Sequence, residues 1–240
     1  MSTSNVSSTR AQCHVFVDFD GTIVPCDATD FLFERFALPE WRDVERDWQA
    51  GKIGSRECMT RQVDLLRATP EQLFGAVSEL RVDPGFETFI RTCRRHGVGA
   101  SIVSDGFDCV IAAVMRNAGF DLPFYANHLQ PVGGDRWRLT FPFARGDCSA
   151  LSGNCKCAVA KDSGAIIKVV VGDGRSDFCV SGQADLVFAK EKLLQLCREN
   201  GTLHEPFTDF FQVAEKLGAW LRNTSRDRAA ATPLAGQIAG

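Results

Sequence analysis

The chain has 240 residues, of which 45% are hydrophobic, and a formal net charge of -3. This length and apolar content suit one compact domain, or one domain that carries a sizeable insertion. The mildly acidic balance, without a basic stripe, argues against a nucleic-acid partner. No apolar run approaches the roughly 18 residues that a membrane-spanning helix needs, so no membrane partner is expected.

The two ends of the chain and its cysteines indicate a cytoplasmic protein. Residues 1–12, MSTSNVSSTRAQ, are polar and lack the apolar core of a signal peptide. We expect this segment to be disordered, together with a tail of small and polar residues at 223–240. The ten cysteines are scattered along the chain, which favours reduced thiols over a disulfide framework.

The first predicted elements are a strand and a long helical segment. VFVDF at 15–19 is apolar and predicts a buried strand. Residues 27–83 carry helical spacing and no convincing strand, so we predict a helical cap inserted after the first strand. A helix follows at 86–97, where an apolar stripe ends on basic residues and a glycine.

Strands and helices alternate in the rest of the chain. VGASIVS at 98–104 and IIKVVVGD at 166–173 predict two more buried strands, and DLVFA at 185–189 predicts a weaker fourth. Helical patterns occur at 108–119 and in the stretches DFCVSGQ and EKLLQLCRENG. An interruption at 124–142 predicts a hairpin that turns at Gly133–Gly134.

This alternation predicts an α/β fold. Buried apolar strands separated by helices are typical of a Rossmann-like parallel sheet that is covered by helices on both faces. The predicted core domain comprises residues 13–26 and 84–222, and the cap comprises residues 27–83.

Polar residues follow three of the predicted strands. Asp18 and Asp20 end the first strand, Ser104 ends the second, and Asp173 and Asp177 follow the third. Because ligands of parallel sheets bind beyond the carboxyl ends of the strands, these residues are expected at one edge. Several carboxylates in one crevice repel one another, and a bound cation relieves that repulsion. Oxygen ligands alone favour Mg²⁺, which commonly takes a phosphate oxygen as a further ligand.

Two of these carboxylates can do different chemistry on a phosphate ester. Asp18 and Asp20 therefore have two distinct roles available. One carboxylate can attack phosphorus and form an aspartyl-phosphate intermediate. The other can protonate the leaving oxygen and later deprotonate water. Lys156 lies some ten residues before the third predicted strand and could reach this edge to hold the phosphate with Ser104.

The order of these motifs resembles a known superfamily. DFDGT, the serine of IVSDG, the lysine of GNCK and GDGRSD match the four motifs of the haloacid dehalogenase-like (HAD) phosphatases, over roughly residues 14–215. The helical insertion is similar to the cap of phosphoserine phosphatases, subclass IB. On GNCK and the stretch DLVFAKEKLLQLCRENGTLHEPFTDF, the chain most resembles the 2-hydroxy-3-keto-5-methylthiopentenyl-1-phosphate phosphatases. The resemblance implies a Mg²⁺-dependent phosphatase that acts on a small phosphorylated metabolite.

The resemblance also implies a role for each residue of the motifs. Asp18 would be the nucleophile and a metal ligand, and Asp20 the general acid/base with its backbone carbonyl on the metal. Asp173 would bind the metal, and Asp177 would support the metal shell. The substrate-binding residues would be Ser104, Asp105, Gly106 and Lys156.

The sequence departs from the family pattern at a few positions. Asp105 stands where these phosphatases commonly have a glycine, close to the phosphate pocket. Phosphoserine phosphatases grip the amino acid with a glutamate and an arginine, whereas the matching positions here are Asp27 and Gln62, beside Arg61. These differences weaken a phosphoserine assignment and leave the substrate open.

Other functions remain as alternatives. The chain could pass the phosphoryl group to an alcohol instead of water, or it could bind a phosphorylated metabolite without turnover. The cluster Cys148, Cys155 and Cys157 could form a zinc or redox site, although its spacing fits no common zinc motif. The sequence leaves the oligomeric state open.

Overall fold

The computed structural model describes residues 13–231, with side chains as far as Thr224. Its strands are β1 Cys13–Val17, β2 Gly99–Phe107, β3 Phe124–Gly133, β4 Arg136–Thr140, β5 Ile167–Gly172, β6 Leu186–Ala189 and β7 His204–Pro206. Its α-helices are α1 Ala28–Phe36, α2 Trp41–Gln49, α3 Ser55–Leu65, α4 Pro70–Val77, α5 Phe86–His96, α6 Asp108–Asn117, α7 Lys156–Asp162, α8 Phe178–Ser181, α9 Glu191–Asn200 and α10 Phe210–Ala231.

The seven strands form one sheet in the order β4-β3-β2-β1-β5-β6-β7, and only β4 runs antiparallel to its neighbour. Successive residues of β1 face opposite sides of the sheet. Val15 and Val17 pack into the larger core, whereas Phe16 packs into a second core on the other face. Both faces are therefore covered, and the predicted Rossmann-like sheet is confirmed. Because β1 pairs in parallel with β2 and β5, the carboxyl ends of all three meet at one edge.

The segment between β1 and α5 holds the four helices α1–α4 and contributes no strand to the sheet, as predicted for a cap after the first strand. Its fourth helix starts at a capping box in which Thr69 and Gln72 satisfy each other's backbone N–H groups. The link before that helix is held by the β3–β4 hairpin. The backbone N–H of Ala68 donates to the carbonyl of Asp135, and the indole Nε1 of Trp137 donates to the carbonyl of Ala68 at 2.8 Å.

The structure adds to the sequence prediction at the hairpin and the carboxyl-terminal part of the chain. The predicted hairpin is present, but its two-residue turn is Gly134–Asp135, because Gly133 still pairs with Arg136. Strand β7 was not predicted, since three residues at the sheet edge leave no apolar run.

Helix α10 corrects the predicted start of a disordered tail. It continues to Ala231, through the first nine residues of the segment 223–240. Arginine and alanine are good helix formers, and both are frequent in this stretch, NTSRDRAAA. Residues 1–12 and 232–240 lie outside the described part of the chain, so the prediction of disorder there is not tested. Within residues 13–231, no helix combines the length and hydropathy of a transmembrane span.

We predict that His14, on β1, makes the stability of the protein sensitive to acid. Its Nε2 lies 2.8 Å from the hydroxyl of Ser101 on the neighbouring strand, and burial lowers its pKa. Because the unfolded chain then binds a proton more readily than the folded one, stability should fall as the pH drops below about 6.5. His14→Gln should remove this contribution. Denaturant unfolding at pH 8 and pH 5.5 should show a smaller acid loss in the variant; an equal loss in both proteins would contradict the assignment.

Candidate active site

The edge where β1, β2 and β5 end brings the predicted carboxylates together. Asp18 and Asp20 follow β1 directly, and Asp173 and Asp177 follow β5. One carboxylate oxygen each from Asp18, Asp173 and Asp177 lies within 4.8 Å of the others. Asp20 is outside this group of three, and its side chain points instead toward Ser104 of β2, with its Oδ2 3.2 Å from the serine hydroxyl.

Lys156 supplies the positive charge of the site. It is the first residue of α7, and its side chain is only 4% exposed. Its Nζ lies 2.8 Å from Oδ2 of Asp18 and 2.7 Å from Oδ1 of Asp177. Burial lowers the pKa of Lys156, but the two carboxylates raise it by more, so the ammonium stays charged. These contacts place Lys156 at the edge where β1 and β5 end.

The buried carboxylate of Asp18 lies close to both the ammonium of Lys156 and the carboxylate of Asp177. Its Oδ1 accepts a hydrogen bond from the backbone N–H of Phe19 at 2.7 Å, and its Oδ2 accepts one from the hydroxyl of Ser176 at 3.3 Å. Burial, followed by the charge of Asp177, raises the pKa of Asp18 to about 7, although Lys156 acts in the opposite direction. The ammonium alone therefore does not offset the negative charge collected at this edge.

The carboxyl group of Asp20 has a different environment. Its Oδ1 accepts from the backbone N–H of Ala28 at the start of α1, at 2.8 Å. Burial, with the charges of Asp27 and Asp18, raises the pKa of Asp20 well above its ordinary value. A raised pKa favours the protonated carboxyl group, which is the form that can give a proton to a departing oxygen.

Asp173 is positioned by two residues of the DFDGT motif. The hydroxyl of Thr22 donates to its Oδ1 at 2.7 Å. Gly21 has a φ of +66°, and a Cβ added there would stand 2.6 Å from Oδ2 of Asp173. Glycine is therefore required at this position for two reasons: the backbone is left-handed, and the Asp173 carboxylate approaches too closely for a side chain.

The carboxylate oxygens at this edge indicate which kind of cation they could bind. The group of Asp18, Asp173 and Asp177 offers only carboxylate oxygens, the ligand type that hard divalent cations prefer. A divalent cation held by these residues would offset part of their negative charge and part of that of a bound phosphate, together with the ammonium of Lys156. The residues present therefore fit a divalent metal.

A cavity of about 180 Å³ lies over these residues, beneath the helical insertion. Of the residues singled out in the insertion, Asp27 and Gln62 line the cavity. Gln62 donates from its Nε2 to Oε2 of Glu45, another lining residue, at 3.0 Å. Arg61 does not line it, and instead pairs with Glu57 on the exposed face of α3. Among the described residues that line the cavity, none from α1–α4 is an arginine or a lysine.

The cysteine cluster shows no metal site. Cys148, Cys155 and Cys157 are free thiols, and the hydroxyl of Ser152 lies 3.1 Å from the sulfur of Cys148. Within the described part of the chain, the only group of three or more candidate ligands within reach of one ion is the aspartate group described above. The zinc alternative therefore gains no support.

Several residues of the site were not singled out from the sequence. Thr22 and Ser176 stand inside the quoted motifs DFDGT and GDGRSD, so the motifs could have identified them. Asn154 is in GNCK, and its buried amide donates to the carbonyl of Ser104 at 2.9 Å. Asn127, from β3, is also fully buried, and no motif in the sequence marks it.

The chain is similar in sequence and in fold to known proteins of one family. The model of the haloacid dehalogenase-like hydrolase family matches residues 15–181. A 2-hydroxy-3-keto-5-methylthiopentenyl-1-phosphate phosphatase of Geobacillus kaustophilus (strain HTA426) is 32% identical, over 86% of this chain and 96% of that protein. Its counterpart from Geobacillus thermodenitrificans (strain NG80-2) is 31% identical over 87% and 96%. A phospho-aspartyl intermediate analogue of phosphoserine phosphatase shares the fold, with a TM-score of 0.65 and 23% identity over 85% of this chain and 98% of that one.

Proposed function

Because the chain belongs to the haloacid dehalogenase-like hydrolases and is a phosphatase of that family, we propose that it hydrolyses a small phosphorylated metabolite with Asp18 as nucleophile and Mg²⁺ as cofactor. One observation carries the proposal: the buried carboxylate of Asp18 is paired with Lys156 and lies within 4.8 Å of the carboxylates of Asp173 and Asp177. A phosphoryl group placed there meets a nucleophile and a fixed positive charge together.

The two steps follow from the residues that surround the phosphate. An oxygen of Asp18 attacks phosphorus, the bond to the leaving oxygen breaks, and an aspartyl phosphate forms. Asp20, whose raised pKa favours its protonated form, gives its proton to the leaving oxygen. It then takes a proton from the water that attacks phosphorus and releases Asp18. Lys156 and Ser104 hold the phosphoryl oxygens through both steps.

We assign the helical insertion, residues 27–83, the role of a cap over the core formed by 13–26 and 84–222. Its side chains form one wall of the cavity that lies over Asp18. A cap in this position excludes bulk water, which strengthens every charge interaction in the site.

The substrate proposed first is 2-hydroxy-3-keto-5-methylthiopentenyl-1-phosphate, the compound that appears in the names of the two relatives described above. Helices α1–α4 present acids to the cavity and neither arginine nor lysine, which supports a leaving group without a carboxylate. Arg175, the arginine that does line the cavity, follows β5 and donates to the backbone carbonyls of Trp48 and Gln49. Trp48, Cys58 and Met59 give the same wall an apolar part that suits a thioether.

Release of inorganic phosphate from a panel of phosphomonoesters tests the proposal. The panel should include the methylthiopentenyl ester, phosphoserine and an aryl phosphate, each with Mg²⁺ and with EDTA. We expect metal-dependent release, with kcat/KM for the methylthiopentenyl ester the highest and that for phosphoserine at least about tenfold lower, the cost of a lost charged contact. Turnover that persists in EDTA would contradict the cofactor, and a preference for phosphoserine would contradict the substrate. No release from any ester would leave a binding protein as the better description.

A further inference from the structure

The carboxylate of Asp105 is hydrogen-bonded by three separate segments of the chain. Its Oδ2 accepts from the hydroxyl of Ser55, the first residue of α3, at 2.6 Å. Its Oδ1 accepts from the side-chain amide of Asn127 on β3, at 3.0 Å. The same oxygen accepts from the backbone N–H of Asn154, two residues before Lys156, at 2.8 Å. A glycine at this position, the residue usual in the related phosphatases, could make none of these contacts.

Ser55 joins the cap to two core segments at once. While its hydroxyl donates to Asp105, its oxygen accepts from the backbone N–H of Gly153 at 3.3 Å. The residue before it, Gly54, packs against Leu151, where an added Cβ would lie 2.5 Å from the leucine Cβ and 3.0 Å from its carbonyl oxygen. The start of α3 therefore rests directly on the loop that leads to Lys156.

The loop is also tied to the phosphate-binding strand. The side chain of Asn154, which is 1% exposed, donates to the carbonyl of Ser104 at 2.9 Å and to that of Tyr125 at 2.7 Å. Asn154 is separated from Lys156 by one residue, so its place fixes where α7 begins. Asp105 thus stands at the junction of the strand that carries Ser104, the loop that carries Lys156 and the first turn of a cap helix.

We propose that Asp105 is a positioning residue, which clamps α3 and the Lys156 loop onto the phosphate-binding strand. The inference rests on the proposed phosphatase function. A negative charge next to a phosphate site weakens phosphate binding by itself. The three hydrogen-bond donors to Asp105 indicate a role that compensates for this weaker phosphate binding. Through them, Asp105 fixes Ser104 and Lys156 in one geometry and holds the cap against the core.

Four variants separate the contacts of the clamp. Asp105→Ala removes all the contacts of the Asp105 carboxylate. Ser55→Ala removes only the contacts that the cap makes through this serine, to Asp105 and to the backbone of Gly153. Asp105→Asn keeps an oxygen for the donors of Asn127 and Asn154, and its amide can donate to the serine oxygen. Gly54→Ala displaces α3 from Leu151 without removing a polar group. Gly75→Ala is the matched control, because an added Cβ in the middle of α4 meets nothing within 4 Å.

We expect kcat/KM for the aryl phosphate to fall about tenfold in Ser55→Ala and up to about a hundredfold in Asp105→Ala, the range for hydrogen bonds to a charged group. Asp105→Asn should stay within about threefold of wild type, since it retains the acceptor. Gly54→Ala should resemble Ser55→Ala, and Gly75→Ala should be unchanged. The double variant of Ser55 and Asp105 should lose less than the two single losses multiplied together, because both single changes break the same Ser55–Asp105 hydrogen bond.

Inhibition by inorganic phosphate provides a readout that distinguishes positioning from charge. Asp105→Ala has one negative charge fewer, so a bystander carboxylate predicts tighter phosphate binding in this variant. The clamp predicts weaker binding, because Lys156 and Ser104 lose their fixed positions. Tighter binding with unchanged turnover in Asp105→Ala would overturn the proposal, as would an equal loss in Asp105→Ala and Asp105→Asn. Direct titration of phosphate by calorimetry keeps this test valid if the wild type releases no phosphate, an outcome that would count against the proposed function alone.

Discussion

Asp18→Asn is expected to abolish phosphate release while leaving the fold intact. The amide keeps the shape of the carboxyl group but cannot act as a nucleophile, so kcat should fall by at least about a thousandfold. Stability should change little, because Lys156 keeps its 2.7 Å ion pair with Asp177 and the buried Asp18 carboxylate is replaced by a neutral group. Phosphate release and thermal unfolding, measured on the same preparation, check both parts.

The matched control for this change is Asp64→Asn on the exposed face of α3. It makes the same chemical replacement away from the strand edge, and its turnover should equal that of the wild type. Residual activity of Asp18→Asn above about one part in a hundred would argue against a covalent role for Asp18, since a nucleophile contributes more than that.

Lys156→Met is expected to damage both stability and phosphate binding. Removing the ammonium leaves Asp18 and Asp177 buried without a counter-charge, and breaking such a pair destabilises proteins by about 3–5 kcal/mol. The phosphoryl oxygens also lose their charged donor. Inorganic phosphate should therefore no longer inhibit turnover or protect the protein against unfolding. Lys161→Met, on the exposed side of the same helix, is the control and should behave as wild type.

The loss of stability in Lys156→Met should depend on pH, because the pKa of Asp18 is raised. That pKa is about 7 with the lysine in place, and it rises further when the lysine is removed. A folded state that binds a proton more tightly than the unfolded state gains stability as the pH falls. The deficit of Lys156→Met relative to wild type should therefore shrink between pH 8 and pH 6 in denaturant unfolding. If the stability difference between variant and wild type grew as the pH fell, Lys156 would not act by compensating the charge of Asp18.

The catalytic edge was predictable because each part of it lies beside a strong local signal. Asp18, Ser104 and Asp173 each end an apolar run, and parallel strands bring such ends together. Lys156 could be placed only through its motif, since no periodicity indicates where a loop residue will point.

The clamp around Asp105 could not be predicted in the same way. Its partners Ser55, Asn127 and Asn154 come from three segments whose meeting depends on how the cap docks, and each is an ordinary polar residue in sequence. The sequence placed Asp105 near the phosphate but contained no information on its donors. Strand β7 escaped prediction for a related reason, because its place at the sheet edge is set by pairing with β6 and not by its own residues.

The hydrogen bond between Trp137 and Ala68 gives the protein an optical probe of its own. The indole is 6% exposed, and its N–H reaches the carbonyl that links α3 to α4. Any movement that separates the insertion from the hairpin must break this bond and admit water to the ring. Such an event would shift the emission of Trp137 to longer wavelength. In a variant that keeps only this one of the four tryptophans, fluorescence can report whether the insertion stays attached during turnover.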